Sequence, residues 1–263
     1  MISVNGQKIT AEHFPDGTLR LNIAPAVGKA DISWQFENNE EMITLYFIVK
    51  HLREHGTTAL TLNMPYIPNA RMDRVKNEDE VFTLKYFAEF INSLNFESVT
   101  VRDPHSAVSL QFIERIKCED IRPSVIKLCD KLLTDKDVVF FPDAGSCKRY
   151  QGHINKPFIY GVKQRDWKTG KIMGLNVEGN IPQTPFNVLI IDDISSYGGT
   201  FYHSAKKLKE IGANKIWLYI THCENSILQG ELIKSGLVEK IYTTRSVFTQ
   251  EHPLIEIIQE IKL

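Results

Sequence analysis

Short apolar runs recur along the chain, and segments with helical spacing lie between them. Leu60–Met64 (LTLNM) predicts a strand. Within Glu80–Leu94 the residues Val81, Leu84, Phe87, Phe90 and Ile91 fall at helical spacing, which predicts a helix. Ser98–Val101 predicts a short strand that leads into Asp103–His105. Val138–Phe141 (VVFF) predicts a buried strand ending at Pro142–Asp143, and Val188–Ile191 (VLII) another ending at Asp192–Asp193. Thr200–Ile211 predicts a helix closed by Gly212, and Lys215–Thr221 a further strand. Strands alternating with helices predict an α/β fold with mainly parallel sheets. Polar and charged residues follow several of these strands, at the edge where open α/β sheets bind ligands.

Two stretches depart from this alternation. Cys118–Thr134 contains Pro123 and mixed charges, which predicts a domain boundary and domains over 1–125 and 126–263. Lys163–Lys171 (KQRDWKTGK) is basic and poor in apolar residues, which predicts a mobile loop.

Composition narrows the classes without choosing one. A chain of 263 residues suits one large domain or two ordinary ones, and 43% hydrophobic residues suffice for a buried core. Lys+Arg 31 against Asp+Glu 32 gives a net charge of −1, so no global charge favours nucleic acid or an anionic membrane. Cys118, Cys129, Cys147 and Cys223 show no CxxC spacing, which argues against structural zinc and for reduced thiols in a cytoplasmic setting. The start, MISVNGQKIT, does not read as a secretory signal, and the apolar runs are too short to span a bilayer.

The chemistry concentrates after the strands. In Ile191–Thr200 (IDDISSYGGT) two carboxylates, Asp192 and Asp193, are followed by Ser195, Ser196, Tyr197, Gly198, Gly199 and Thr200. Glycines let backbone N–H groups face an anion, hydroxyls add donors, and a helix N-terminus favours negative charge. Adjacent carboxylates suit the vicinal hydroxyls of a ribose. Pro65–Arg74 (PYIPNARMDR) sets Arg71 and Arg74 around Met72 and Asp73, a pattern that suits phosphate or a stacked adenine and equally a salt-bridged loop. Asp103–His105 (DPH) and Pro142–Arg149 (PDAGSCKR) are further polar turns, with Asp143, Lys148 and Arg149 as candidate contacts to metal, ribose or phosphate.

Taken in order, these motifs resemble those of ribose-phosphate pyrophosphokinases, also called phosphoribosyl pyrophosphate synthetases, along nearly the whole chain. Phe14–Gly17 (FPDG) is similar to the family's FSDG segment, Pro65–Arg74 to PYxxYARQDR, and Asp103–His105 to DLH. Pro142–Arg149 is similar to PDxGGxxR, Lys163–Arg165 to the Lys-x-Arg of the catalytic loop, and Ile191–Thr200 to VDDxxDTxGT. The resemblance implies two pseudo-symmetric phosphoribosyltransferase-like domains, the first on the ATP side and the second carrying the ribose-phosphate loop. It implies transfer of the β,γ-diphosphoryl group of ATP to the 1-hydroxyl of a ribose 5-phosphate, with Mg2+ as cofactor and AMP as second product. By position, Lys163, Arg165 and His105 are implied as catalytic, and His105 and Asp143 as linked to the metal. Phe14, Asp16, Arg71, Met72, Asp73, Arg74 and His105 are implied as ATP contacts. Asp192 and Asp193 are implied to hold the ribose hydroxyls, and Ser195–Thr200 the 5-phosphate. A homo-oligomer, dimer or hexamer, is implied as well.

The chain departs from the family pattern in four places. Phe14 arrives early, so an opening strand–helix unit is shortened or missing. Thr18 replaces a Glu, and Met72 replaces a Gln. Ser196–Tyr197 replaces Asp-Thr in the phosphate loop, and a tyrosine there can stack on a 5′-extended acceptor such as ADP-ribose, the substrate type of NAD salvage. Two other classes share part of the pattern. A phosphoribosyltransferase that consumes the activated sugar needs only Asp192–Thr200, and a regulatory homologue keeps the fold without the catalytic cations.

Overall fold

The computed structural model describes the backbone of residues 1–165 and 172–258 and, within these, all side chains except those of 163–165 and 172–173. Contacts divide the chain into two compact units, Met1–Asp120 and Ile121–Leu263.

The first unit opens with β1 (Ile2–Val4), β2 (Gln7–Ile9), β3 (Glu12–His13), β4 (Leu19–Arg20) and β5 (Gly28–Trp34). Next come α1 (Glu40–Glu54), β6 (Thr57–Asn63), α2 (Thr83–Ser93), β7 (Ser98–Arg102), α3 (Ala107–Phe112) and β8 (Ile116–Glu119). Its six-stranded sheet runs β2-β1-β5-β6-β7-β8. The pairs from β5 to β8 are parallel, whereas β1 is antiparallel to both β2 and β5. β3 and β4 form a separate antiparallel ribbon. Among the described residues, no helix precedes α1, so the early arrival of Phe14 corresponds to an opening made of strands.

The second unit comprises α4 (Arg122–Leu132), β9 (Val138–Phe141), α5 (Ala144–Tyr150), β10 (Phe158–Arg165) and β11 (Ile172–Gly179). It continues through β12 (Phe186–Ser195), α6 (Gly199–Glu210), β13 (Ala213–Cys223), α7 (Glu231–Lys234), β14 (Lys240–Thr243) and β15 (Ile255–Ile257). The seven-stranded sheet runs β11-β10-β9-β12-β13-β14-β15, and only the β10–β11 pair is antiparallel. The boundary expected at 125/126 falls inside α4.

The apolar strand runs have a direct cause. Val138 and Phe140 pack into one core with Val188 and Ile190, while Val139 and Phe141 join Leu189 and Ile191 in another. Side chains alternate between faces along a strand, so a strand buried on both faces must be apolar throughout. Each such side chain removed from water contributes about 1.5–3 kcal/mol.

Two expectations are corrected. Asp192 and Asp193 lie within β12, not on a turn after it, because pairing with β13 continues to Ser195↔Cys223. Lys163–Arg165 continue β10 rather than opening a loop, because the antiparallel pairing with β11 includes Lys163↔Leu175 and Gln164↔Gly174. A two-stranded ribbon needs no apolar run, so its sequence looked like a loop. Residues 166–171 of the expected loop lie outside the described residues.

Candidate active site

In the second unit the candidate residues gather around the C-terminal ends of β9 and β12. Asp193 is 5% exposed at its side chain, and its Oδ2 lies 3.3 Å from Nη1 of Arg149. The Arg149 guanidinium also sits 5.9 Å above the Tyr150 ring. The backbone N–H of Asp193 donates to Oδ1 of Asp192 at 3.0 Å. Arg149 therefore balances one charge of the pair. Burial, then the neighbouring Asp193 and Asp143 carboxylates, push the Asp192 carboxyl well above the usual carboxylate range.

That shift has a stability consequence. An acid whose pKa is raised on folding destabilises the native state once pH exceeds its unfolded value, and the penalty vanishes at lower pH. Asp192→Asn is therefore expected to raise the melting temperature at neutral pH. The gain should shrink as pH falls from the raised native value toward the ordinary carboxylate value of 3.8, and vanish below it. A pH series of thermal melts checks this, and a gain that grows toward acid contradicts it.

Asp143 caps α5. Its Oδ1 accepts from the N–H of Gly145 at 3.0 Å and of Ser146 at 3.2 Å, while its own N–H donates to Ser146 Oγ at 3.3 Å. This reciprocal cap is a local structural role, beside the ligand contact that its motif implies.

The loop after β12 opens α6. Ser195 is buried, and its carbonyl accepts from the N–H of Glu224 at 2.8 Å. Tyr197 is 60% exposed. Gly198 occupies the N-cap of α6 with φ 77°, a conformation that favours glycine, and no side chain caps the helix there. Gly199 and Thr200 are exposed at the first turn, where helix geometry leaves backbone N–H groups without intrahelical partners. Such a terminus attracts an anion.

The first unit carries the other set. A cleft of about 490 Å³ is lined by Phe36, Tyr66, Asn69, Arg71 and Met72, with Glu37–Asn39 on its rim. Next to Met72, Asp73 is held in a two-point pair by Arg74, with Nε to Oδ1 at 2.8 Å and Nη2 to Oδ2 at 3.1 Å. The Arg74 hydrogen bond, aided by Ser106 and the nearby His105, keeps the Asp73 carboxyl below its usual range. Ser106 caps α3 by accepting from the N–H of Val108. Asp103 is buried with φ 36°, so the DPH turn begins in the left-handed region. Phe14 and Asp16 lie on the tip joining β3 to β4, where Asp16 Oδ1 accepts from the Thr18 N–H at 2.9 Å and the Thr18 hydroxyl at 2.7 Å. Thr18 thus stabilises its own turn. Phe14 and Asp16 do not line the Arg71 cleft.

Lys163 and Arg165 stand at the end of β10, and their side chains lie outside the described residues. Phe36–Asn39 and Ser106 fall outside every motif, whereas Tyr66 lies within Pro65–Arg74 without being one of its charged positions. Among the described residues, no group of three or more His, Cys, Asp or Glu side chains is arranged to hold a metal ion. Oxygen donors still suit Mg2+, which takes one or two carboxylates and draws its remaining ligands from substrate phosphates and water. Burial pushes the Cys129 and Cys223 thiols up to about 12, so neither is a thiolate nucleophile at neutral pH. No described helix is long and apolar enough to cross a membrane.

Comparison with known proteins agrees with this arrangement. A family model described as the N-terminal domain of ribose phosphate pyrophosphokinase matches residues 1–94. The ribose-phosphate pyrophosphokinase of Sulfurisphaera tokodaii is 28% identical over 258 residues, covering 94% of this chain and 87% of that protein. The one from Sulfolobus acidocaldarius is 27% identical over 251 residues, covering 91% and 84%. The crystal structure of phosphoribosylpyrophosphate synthetase from Mycobacterium smegmatis shares the fold, with a TM-score of 0.79 at 17% identity over 95% of this chain and 85% of that one.

Proposed function

We propose that this chain, which is similar to ribose-phosphate pyrophosphokinases, transfers the β,γ-diphosphoryl group of ATP to the 1-hydroxyl of a ribose 5-phosphate. The observation that carries this reading is the Asp192–Asp193 pair at the end of β12, balanced by Arg149 and followed at once by the uncapped N-terminus of α6.

In the reaction the 1-hydroxyl oxygen attacks the β-phosphorus of ATP. The bond from that phosphorus to the α,β-bridging oxygen breaks, AMP leaves with that oxygen, and the hydroxyl proton is released. Asp192 and Asp193 accept from the ribose hydroxyls and so orient the attacking oxygen. The loop Ser195–Thr200 and the N-terminus of α6 hold the 5-phosphate. On the ATP side, Arg71 and the cleft beside it receive the nucleotide, and the Arg74–Asp73 pair shapes the turn that presents Arg71 and Met72. Lys163, Arg165 and His105 supply positive charge or hydrogen bonds to the polyphosphate, where charge accumulates in the transition state. Mg2+, placed by resemblance near His105 and Asp143, would neutralise phosphate charge when bound. Phe14 and Asp16 sit on an exposed hairpin tip, which suits the family pattern in which this segment serves a neighbouring subunit's adenine. A homo-oligomer follows from that reading, and light scattering that returns a monomer at micromolar concentration contradicts it.

A 5′-extended acceptor is a second reading, favoured by the 60% exposure of Tyr197 in the phosphate loop. A ring in that position offers a stacking face worth about 0.5–1.5 kcal/mol. The test follows ATP loss and AMP formation with Mg2+ and either ribose 5-phosphate or ADP-ribose. The extended-acceptor reading expects ADP-ribose turnover within about tenfold of ribose 5-phosphate, the scale of such a contact. Far faster turnover of ribose 5-phosphate ends it, and AMP formation from neither acceptor ends the diphosphoryl-transfer reading. AMP released without any nucleobase separates this enzyme from a phosphoribosyltransferase.

A further inference from the structure

The segment after β13 lies beneath the phosphate loop, and no motif in the sequence points to it. It comprises a single 3-10 turn over Asn225–Gln229, then Gly230, then α7. We propose that Gly230 is a positioning residue for the phosphate loop. Its missing side chain lets the Tyr197 backbone settle where Gly198–Thr200 can grip the 5-phosphate. This rests on the reading of Ser195–Thr200 as the phosphate site.

The contact is close and made by backbone. A Cβ on Gly230 would lie 1.8 Å from the carbonyl oxygen of Tyr197 and 2.9 Å from its carbonyl carbon. Neither atom belongs to a side chain that can swing aside. Gly230 itself has φ −80° and ψ 161°, a region open to any residue, so its glycine is required by the contact and not by its own conformation. The same segment seats the next residue of the loop as well. A Cβ on Gly198 would come within 3.3 Å of Leu232 Cδ2 and 3.4 Å of Ile227 Cγ1, and both of those side chains are fully buried.

The supporting segment is itself tied down. The Glu224 N–H donates to the Ser195 carbonyl at 2.8 Å, and the Gly230 N–H to the Ile227 carbonyl at 3.0 Å. Asn225 is held at both ends of its amide, with Nδ2 donating to Thr249 Oγ1 at 2.7 Å and Oδ1 accepting from the Thr249 N–H at 3.1 Å. With the support anchored, a methyl group at Gly230 is relieved by moving Tyr197 and Gly198. That displaces the first turn of α6 from the phosphate.

The test compares Gly230→Ala with wild type and with Gly152→Ala, whose added Cβ meets nothing within 4 Å. Ribose 5-phosphate binding is measured by calorimetry without ATP, and turnover by steady-state kinetics. Gly230→Ala should weaken ribose 5-phosphate binding and raise its KM by about tenfold or more, since an ångström of misplacement can matter that much. The KM for ATP should move less than about twofold on the same scale, and Gly152→Ala should match wild type. Should Gly230→Ala fail to fold, Leu232→Val removes the Cδ2 that seats Gly198 and should raise only the ribose 5-phosphate KM, and an unchanged KM would overturn the inference. An active wild type with a Gly230→Ala variant that binds ribose 5-phosphate equally well overturns the inference and leaves the proposed function standing. A wild type that neither binds ribose 5-phosphate nor forms AMP overturns the proposed function and, with it, the assigned role of Gly230.

Discussion

Asp193→Asn is expected to lower kcat/KM for ribose 5-phosphate by about 10²- to 10³-fold, with a much smaller change in the KM for ATP. The side chain is 5% exposed and lies 3.3 Å from the Arg149 guanidinium. Asparagine keeps its size but removes the charge, so Arg149 loses this ion pair. Removing one member of such a pair costs about 3–5 kcal/mol in a buried setting, and the 27% exposure of Arg149 softens this. The acceptor also loses a charged hydrogen-bond partner, worth about 1.5–3 kcal/mol. Steady-state kinetics with each substrate varied in turn checks the prediction. The double variant Asp193→Asn with Arg149→Gln separates the two contributions. It should recover part of the stability, because the Arg149–Asp193 ion pair is removed from both sides, but not activity, because the ribose still lacks its carboxylate. Activity restored along with stability would mean that Asp193 serves only the fold.

Lys163→Ala is expected to lower kcat by about 10²- to 10³-fold while leaving both KM values within a few-fold, the pattern of a contact made chiefly in the transition state. The backbone supports the assignment. β10 runs parallel to β9 with Tyr160 opposite Phe141, the last residue of β9. Residues 161–165 therefore continue past the end of β9, on the side where Pro142 and Asp143 begin their turn. Diphosphoryl transfer concentrates negative charge on the bridging and terminal oxygens, and a lysine brought there offsets it without binding the ground state strongly. AMP production is the readout. An unchanged rate would remove Lys163 from the catalytic set.

Legibility in the sequence followed burial. VVFF and VLII announce β9 and β12 because both faces of those strands are covered, so every position is apolar. The Asp-Asp and Gly-Gly of Asp192–Thr200 are equally visible, since they are adjacent in the chain. Where β12 ends is not visible, because the pairing that carries it to Ser195 is made by β13 residues distant in sequence. Helix α1 escaped for a different reason. Ile43, Tyr46 and Phe47 are 39–51% exposed, so apolar residues fall on its outer face as well as its inner one and blur the helical period. The Arg149–Asp193 pair and the Gly230–Tyr197 contact each join residues far apart in the chain, and neither leaves a local pattern. The Asn38, Asn39 and Asn69 side chains at the Arg71 cleft are common loop residues whose meaning appears only once the cleft exists.

The central claim is that a diphosphoryl group, not a single phosphoryl group, moves from ATP to the 1-hydroxyl of the sugar. ATP labelled at its γ-phosphorus, incubated with the protein, Mg2+ and ribose 5-phosphate, tests it directly by chromatography of the products. The account predicts that the label appears in a sugar diphosphate, with one unlabelled AMP formed for each and no nucleobase required. Label appearing as orthophosphate beside ADP, or remaining in ATP while a nucleobase is awaited, would contradict it.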